Sequence, residues 1–381
     1  MIAASLAALY LGLLLLKLAL AWRRLRVPGA AATSVDLRSV CIAQPILSGD
    51  PGLAAALEDN VRALPGARFL WLVDRDDTEG LAIATAVRER HPASRMDIRT
   101  YEAPPPGCNP KLYKLEQARA EVREEVLVVL DDDTRLPPAT ATALVRALGD
   151  HELVTGLPGY RDDGRAPSRL LAQFVNDNAA LTYLPLLAFF PPMTINGMAY
   201  ALRTKHLTAL GGFAPLLGHL TDDLAVARHV LAAGGRIHQS AEVQWVQTTV
   251  RGFGHYVSLM HRWFLFALLL LQRQTLARRA AITVLNGLPP LLLLGTIAAT
   301  VLRPSAPAGG ALTVLLVVRA GALAVLQRRL YDGGVRPSPL LSLVSELLQP
   351  LHLLHAAVWR RISWRTRRYR VYSDRDFRDA T

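Results

Sequence analysis

Apolar residues form long runs towards the two ends of the chain and short runs in its middle. IAASLAALYLGLLLLKLALAW (Ile2 to Trp22) matches the ~20 residues that a membrane-crossing helix requires. Between positions 39 and 148, short apolar runs alternate with segments of helical spacing. VCIAQPIL (40–47), RFLWLVD (68–74), MDIRTYE (96–102) and EVLVVLDD (125–132) predict strands. PGLAAALEDNVRAL, TEGLAIATAVRER and PKLYKLEQARAEV predict the helices between them. Continuous apolar strands alternating with helices imply an α/β fold whose parallel sheet is covered on both faces. Ligands of such sheets lie beyond the carboxyl ends of the strands. Pro45 to Asp50, Asp74 and Asp131 to Asp133 are therefore expected to converge.

From 149 to 247 the rhythm is less regular. It predicts a helix over 168–188, a glycine-bearing stretch TINGMAYALR, the turn GGF, and a helix in HLTDDLAVARHVLAAGG. Thr221 is expected to cap that last helix, with Asp222 and Asp223 in its first turn. Beyond Gly252 the long apolar runs return. YVSLMHRWFLFALLLLQRQ suits an interfacial helix. Segments 280–302 and 311–326 read as a spanning pair, the first kinked at Pro289-Pro290. Segment 339–359 carries Glu346, Gln349, Pro350, His352 and His355 between basic flanks, which favours a re-entrant or interfacial hairpin. The expected division is an anchor over 1–26, a cytosolic domain over 27–250, an interfacial helix over 251–279, membrane segments over 280–359 and a basic cytosolic tail over 360–381.

Composition sharpens this picture. Hydrophobic residues make up 51% of the 381, and the net charge is +12. The arginines cluster beside apolar segments (Arg23, Arg24, Arg26; Arg278, Arg279; Arg328, Arg329; Arg360 to Arg370), as anionic lipid and the positive-inside rule favour. No basic groove interleaved with aromatics marks the central part, so nucleic acid is not an expected partner. Cys41 and Cys108 form no CxxC, which excludes a disulfide framework or structural zinc site and fits a reducing, cytosol-facing domain. Ala19-Leu20-Ala21 resembles a signal-peptidase site. The positive charges nevertheless follow the apolar run, which favours a retained anchor.

The candidate chemistry centres on LDDDTRLP. Three adjacent carboxylates at the end of a core strand repel one another and resist desolvation. On an extended backbone Asp131 and Asp133 project to one side and Asp132 to the other. A divalent cation, Mg2+ or Mn2+, held by Asp131 and Asp133 would relieve the repulsion and complete its shell with water and phosphate oxygens. A helix cap by Asp133 or Thr134 accounts for one acid, not three, and Asp132 is expected to tolerate substitution best. An EF-hand is excluded, because the glycine and distal glutamate are missing. Asp74 closes a second strand, either as an Asx turn or as an acceptor for a ribose or base N–H. The chain has only four lysines among 43 basic residues, so Lys111 and Lys114 stand out, Lys111 as a phosphate partner or a solvated helix-start residue. Asp222 and Asp223 cannot both cap one helix well, which leaves a spare carboxylate for general-base work.

QPILSGDPGL (44–53), VDRDD (73–77), NPKLYKL (109–115), LDDDTRLP (130–137), NGMAYALR (196–203), GGF (211–213), TDD (221–223) and HRW (261–263) occur in the order of the membrane-bound family 2-like glycosyltransferases. Across 39–265 the chain is most similar to the ceramide glucosyltransferase-type branch (family 21), which includes bacterial hopanoid-associated relatives. The resemblance implies a GT-A (Rossmann-like) domain with an N-terminal transmembrane helix and C-terminal transmembrane or interfacial helices. It also implies inverting transfer from a nucleotide sugar, of UDP and glucose type, to a membrane lipid hydroxyl at the cytoplasmic face of a bacterial inner membrane. By this resemblance Pro45, Asp74, Lys111, Asp131, Asn196 and Gly197 bind the donor, and Asp131 and Asp133 hold the metal with the diphosphate. Asp223 is the base, with Asp222 in place of a usual glutamate, and Arg262 and Trp263 end the Q/RxxRW motif near diphosphate and acceptor. Leu259 stands at the first position of that motif, a departure that weighs against a processive polysaccharide synthase. The competing readings are a membrane GT-A enzyme acting on a polyprenyl phosphate, carotenoid or polysaccharide, a nucleotidyltransferase on the same sheet, and a non-catalytic nucleotide-binding scaffold.

Overall fold

Four apolar runs in the middle of the chain become adjacent parallel strands, as their alternation with helices requires. In the computed structural model, which describes residues 1–25, 35–364 and 367–379, these are β1 (Val40–Ile46), β2 (Arg68–Asp74), β3 (Met96–Tyr101) and β4 (Val126–Leu130). With β5 (Thr134–Arg135), β6 (Leu153–Tyr160), β7 (Ala199–Arg203) and β8 (Ile237–Val246) they build an eight-stranded sheet of order β3-β2-β1-β4-β7-β6-β8-β5. β1 to β4 are mutually parallel where they pair, β7 runs antiparallel to β4 and β6, and β5 runs antiparallel to β8. The sheet is thus mixed beyond β4, with helical connections still joining β6 to β7 and β7 to β8.

Strand alternation sends Ile42, Trp71, Val73 and Val128 into one buried cluster and Cys41, Ala43, Leu72 and Val129 into another. Both faces are covered, which the continuous apolar runs demanded. Trp71 lies fully buried with its indole N–H donated to Gln44 Oε1 at 2.9 Å. Pro45 lies in register with Leu72 of β2 and beyond the pairing with β4, which ends at Ala43.

Contact density divides the chain into two units. The sheet unit takes residues 29–158, 192–249 and 361–381, and the helical unit takes 1–28, 159–191 and 250–360. The C-terminal segment, read from sequence as a separate tail, forms a three-stranded antiparallel sheet of β9 (Arg361–Trp364), β10 (Arg367–Val371) and β11 (Phe377–Asp379) and belongs to the sheet unit. Helix Ala166–Tyr183, placed by the sequence within the soluble block, belongs instead to the helical unit.

Among the described residues of the helical unit, five helices are long and apolar enough to cross a membrane: Ile2–Leu25, Phe253–Gln272, Leu276–Leu302, Ala306–Tyr331 and Pro339–Val358. Arg26, the last of the arginines expected to set topology, lies outside the described residues. A π-helical turn over Thr283–Gly287 lies one residue before Pro289-Pro290, whose missing N–H groups deprive carbonyls one turn back of their usual donors. The hairpin expected at 339–359 is not formed: Pro339–Val358 is one continuous helix. Its polar residues find partners on other helices. Glu346 accepts from the Tyr10 hydroxyl at 2.9 Å and from Arg319 Nε at 2.7 Å, while His352 Nε2 meets the Tyr256 hydroxyl at 3.1 Å. Lys17 donates to Asn286 Oδ1 at 3.1 Å. Charges in such helices persist only when compensated in this way.

Gly156 of β6 shows how closely the sheet is packed. A Cβ there would lie 2.2 Å from Gln244 Oε1 and 2.8 Å from the Glu242 carbonyl oxygen. Gly156→Ala is expected to cost about 1–3 kcal/mol through overpacking, read as a lowered thermal midpoint of the detergent-solubilised protein. An unchanged midpoint would show that β6 and β8 can separate freely.

Candidate active site

The carboxyl ends of β1, β2 and β4 bring Asp74 and Asp131 to Asp133 to one edge of the sheet, and helix Pro110–Arg119 supplies the countercharge. Asn109 caps this helix, its Oδ1 accepting from Lys111 N at 3.0 Å and Leu112 N at 3.2 Å. That start places Lys111 and Lys114 one turn apart. Lys114, 3% exposed, lies 3.1 Å from Asp74 Oδ1 and also donates to the Ile46 carbonyl.

Lys111 is the centre of the arrangement. Its ammonium lies 2.7 Å from Asp131 Oδ1 and 2.8 Å from Asp222 Oδ2, and donates to the Gly197 carbonyl at 2.9 Å. Two ion pairs and one hydrogen bond thus meet at a single ammonium. Burial opposes the lysine charge, but Asp131 and Asp222 outweigh it and hold the pKa well above the usual range. The solvated helix-start role considered for this residue is therefore not the one it has. Asp131 itself is pushed up to about 6, by burial first, with Lys111 opposing and Asp133 and Asp222 adding to the rise.

The chain leaves the extended path at Leu130. Thr134 N–H closes a turn onto the Asp131 carbonyl at 3.1 Å, so strand alternation does not carry through the three acids. Asp133 accepts from the Thr248 hydroxyl at 2.7 Å. Asp132 points inward, 3% exposed, and its Oδ2 accepts from Leu47 N at 2.8 Å. The expectation that Asp132 is the tolerant acid is thereby overturned, since it ties the end of β4 to the end of β1.

Asp222 and Asp223 open helix Asp222–Ala232. Thr221 stands at the cap position, yet its hydroxyl makes no capping bond and donates instead to Asp374 Oδ1 at 2.6 Å. Asp223 accepts from Leu224 N at 2.7 Å. Its carboxyl is pushed up to about 7, first by burial and then by Asp222, with lesser opposition from Leu224 N–H and Lys111. Gly197 fits against this pair: a Cβ would approach Asp223 Cβ to 3.1 Å. Asn196 orients the same turn, its Oδ1 accepting from Met198 N at 3.2 Å and its backbone N–H bonding Thr155 Oγ1 at 3.1 Å.

Asp74, Lys111, Asp131, Asp133, Asn196, Gly197, Asp222 and Asp223 all belong to the sheet unit, as does Pro45. Arg262 and Trp263 belong to the helical unit, on Phe253–Gln272, where Trp263 stacks on Phe174 at 6.5 Å and meets Tyr160 edge-on at 5.8 Å. Sequence reasoning passed over Asn109, whose place before Pro-Lys was a readable cap signal, and Asp374, for which no local signal exists.

The mixed sheet, covered on both faces and carrying acids at its strand ends, is a GT-A-like fold. The mannosyltransferase PcManGT from Pyrobaculum calidifontis, solved with GDP-Man and Mn2+, is similar over 94% of this chain and 97% of its own, with a TM-score of 0.55 and 18% identity. S. aureus TarS 1-349, solved with UDP-GlcNAc, matches more weakly, over 90% of this chain and 99% of its own, with a TM-score of 0.39 and 10% identity. The family model described as glycosyl transferase family 21 matches residues 2–377, and the chain belongs to that family.

Lys111→Met keeps the bulk of the side chain and leaves two close carboxylates without their cation. It should cost about 3 kcal/mol. Asp131, whose proton affinity Lys111 holds down, would then bind its proton more tightly when folded than when unfolded, so the variant should regain stability as pH falls. Thermal unfolding at pH 5 and pH 8 checks this, and an equal deficit at both would contradict the charge-compensation role.

Proposed function

We propose that the protein transfers a sugar from a nucleotide sugar to the hydroxyl of a membrane lipid, with inversion at the anomeric carbon. The observation that carries the reading is the acid pair Asp222–Asp223 at a helix start beside Lys111 and Asp131. One carboxylate compensates the lysine, and the other is free to take a proton. Asp223 has its pKa raised to about 7, which suits a general base at neutral pH. Asp223 removes the acceptor hydroxyl proton as that oxygen bonds the anomeric carbon and the bond to the diphosphate oxygen breaks. Lys111 holds Asp131 and Asp222 in place and lowers the negative charge against which the diphosphate must dock.

Asp74 and the end of β1 at Pro45 take the nucleoside, and Asn196-Gly197 border the sugar. Among the described residues no three acids or histidines gather as a metal site, so Mg2+ or Mn2+ at Asp131 and Asp133 would complete its shell with water and the donor's phosphate oxygens. Such an ion would neutralise charge on the departing diphosphate. The donor is a UDP-sugar of glucose type, and the acceptor a ceramide- or hopanoid-like lipid. The five apolar helices among the described residues support a multi-pass membrane protein; we assign it to a bacterial cytoplasmic membrane, with the sheet unit in the cytoplasm.

Asp223→Asn should lower turnover by at least about a hundredfold. The assay is purified protein with UDP- and GDP-sugars and a membrane lipid extract, followed by mass spectrometry. Wild-type turnover by this variant would remove Asp223 as base, and pyrophosphate release instead of a nucleoside diphosphate would indicate a nucleotidyltransferase. Because Asp223 must be deprotonated to act, kcat/KM should fall as pH drops below about 7. A profile flat from pH 5 to 8 contradicts the assignment.

Removal of divalent cations by chelation should abolish transfer, with Mg2+ or Mn2+ restoring it. Full activity in excess chelator would exclude Asp131 and Asp133 as metal ligands.

A further inference from the structure

The residues immediately before the acid pair are gripped from two sides. From one side comes Asn109, whose Nδ2 donates to the carbonyls of His219 at 3.1 Å and Leu220 at 2.9 Å. From the other comes the turn between β10 and β11. Asp374 Oδ1 accepts from Thr221 N at 3.0 Å and from the Thr221 hydroxyl at 2.6 Å. Asp374 Oδ2 lies 2.6 Å from His219 Nδ1, and the Asp374 carbonyl accepts from Leu220 N at 2.8 Å. Arg375 Nε donates to His219 Nε2 at 3.0 Å, so that nitrogen is the acceptor and the proton of a neutral His219 sits on Nδ1, facing Asp374. Asp374 is 1% exposed, and His219 and Thr221 are buried with it.

A helix that opens with two acids beside a lysine needs its first turn fixed, because a small rotation would exchange which carboxylate meets the ammonium. The cap residue that normally fixes such a turn has its hydroxyl turned away towards Asp374. We infer that Asp374 is a positioning residue: the turn Ser373–Asp376 clamps the 219–221 loop and thereby sets Asp222 on Lys111 and Asp223 towards the acceptor. The inference rests on the reading of Asp223 as the base. Three independent observations agree. Consecutive residues 219, 220 and 221 all bond to one aspartate, Asn109 links the same loop to the helix carrying Lys111, and the usual cap bond is absent. The titratable and charged groups facing Asp223 are Asp222, Lys111, Asp374 and the Tyr200 hydroxyl, with Asp131 across Lys111 and with His219 and Arg375 behind Asp374. Burial acts to raise the Asp374 carboxyl, but His219 and Thr221 outweigh it, so it stays ionised and its charge adds to the rise at Asp223.

The test is Asp374→Asn in the full chain, using the donor and lipid extract that the wild-type protein turns over. The amide retains the size but sets an N–H against Thr221 or His219. Expected are a loss of kcat of about tenfold to a hundredfold, a donor KM within about threefold of wild type, and an acid limb displaced to lower pH by removal of the negative charge. A merely structural role would lower stability without moving that limb. Wild-type kcat and an unmoved limb would overturn the proposal. Should Asp374→Asn not fold, Thr221→Val deletes only the hydroxyl bond to Asp374, and wild-type kcat in that variant would likewise overturn it. Asp223→Asn is assayed in parallel. If it is active, the base reading fails; if it is inactive while Asp374→Asn behaves as wild type, only the clamp fails.

Discussion

An ammonium group enclosed by two carboxylates and a carbonyl is the interaction on which the arrangement of the site depends. Without Lys111, Asp131 at the end of β4 and Asp222 at the start of its helix would face each other as like charges in poorly solvated surroundings. With it, strand end, helix start and the Gly197 turn are drawn to a common point. The lysine can reach that point because Asn109 fixes the first turn of its helix. The same helix sends Lys114 to Asp74, so one element neutralises acids on two strands. Sheet topology brings the acids together, and the helix makes their closeness tolerable.

The compensation also differentiates neighbouring carboxylates. Asp222 is engaged by Lys111, while Asp223, one residue on, is raised to about 7. Two chemically identical side chains thereby acquire different roles from their surroundings. Asp132 represents a third outcome, an acid consumed in joining two strand ends. Each of the adjacent acids is placed by a different donor, which a change of side chain at one position cannot replace.

The first four strands and their helices were legible because their signals are local: apolar runs of strand length alternate with helical spacing, and acids fall at run ends. The donors that decide what each acid does were not, since they come from elsewhere in the chain. Leu47 binds Asp132, and Asp374 binds Thr221. Strand alternation misassigned Asp132 because the backbone turns at Asp131, a change that no apolar pattern records. The segment 339–359 looked too polar for a single long helix for a similar reason. Glu346 is compensated by Tyr10 and Arg319, which lie on helices far away in sequence.

The sheet unit is discontinuous. Its strands up to β8 are complete by residue 246, yet β9 to β11 return to it only after four of the apolar helices have intervened. Asp374 closes on Thr221 across 153 positions of chain. During synthesis the loop before the acid pair must therefore wait until those helices have been made. Completion of the site waits on synthesis of the chain's last segment, and a nascent protein still lacking it carries the acids without their contact to Asp374.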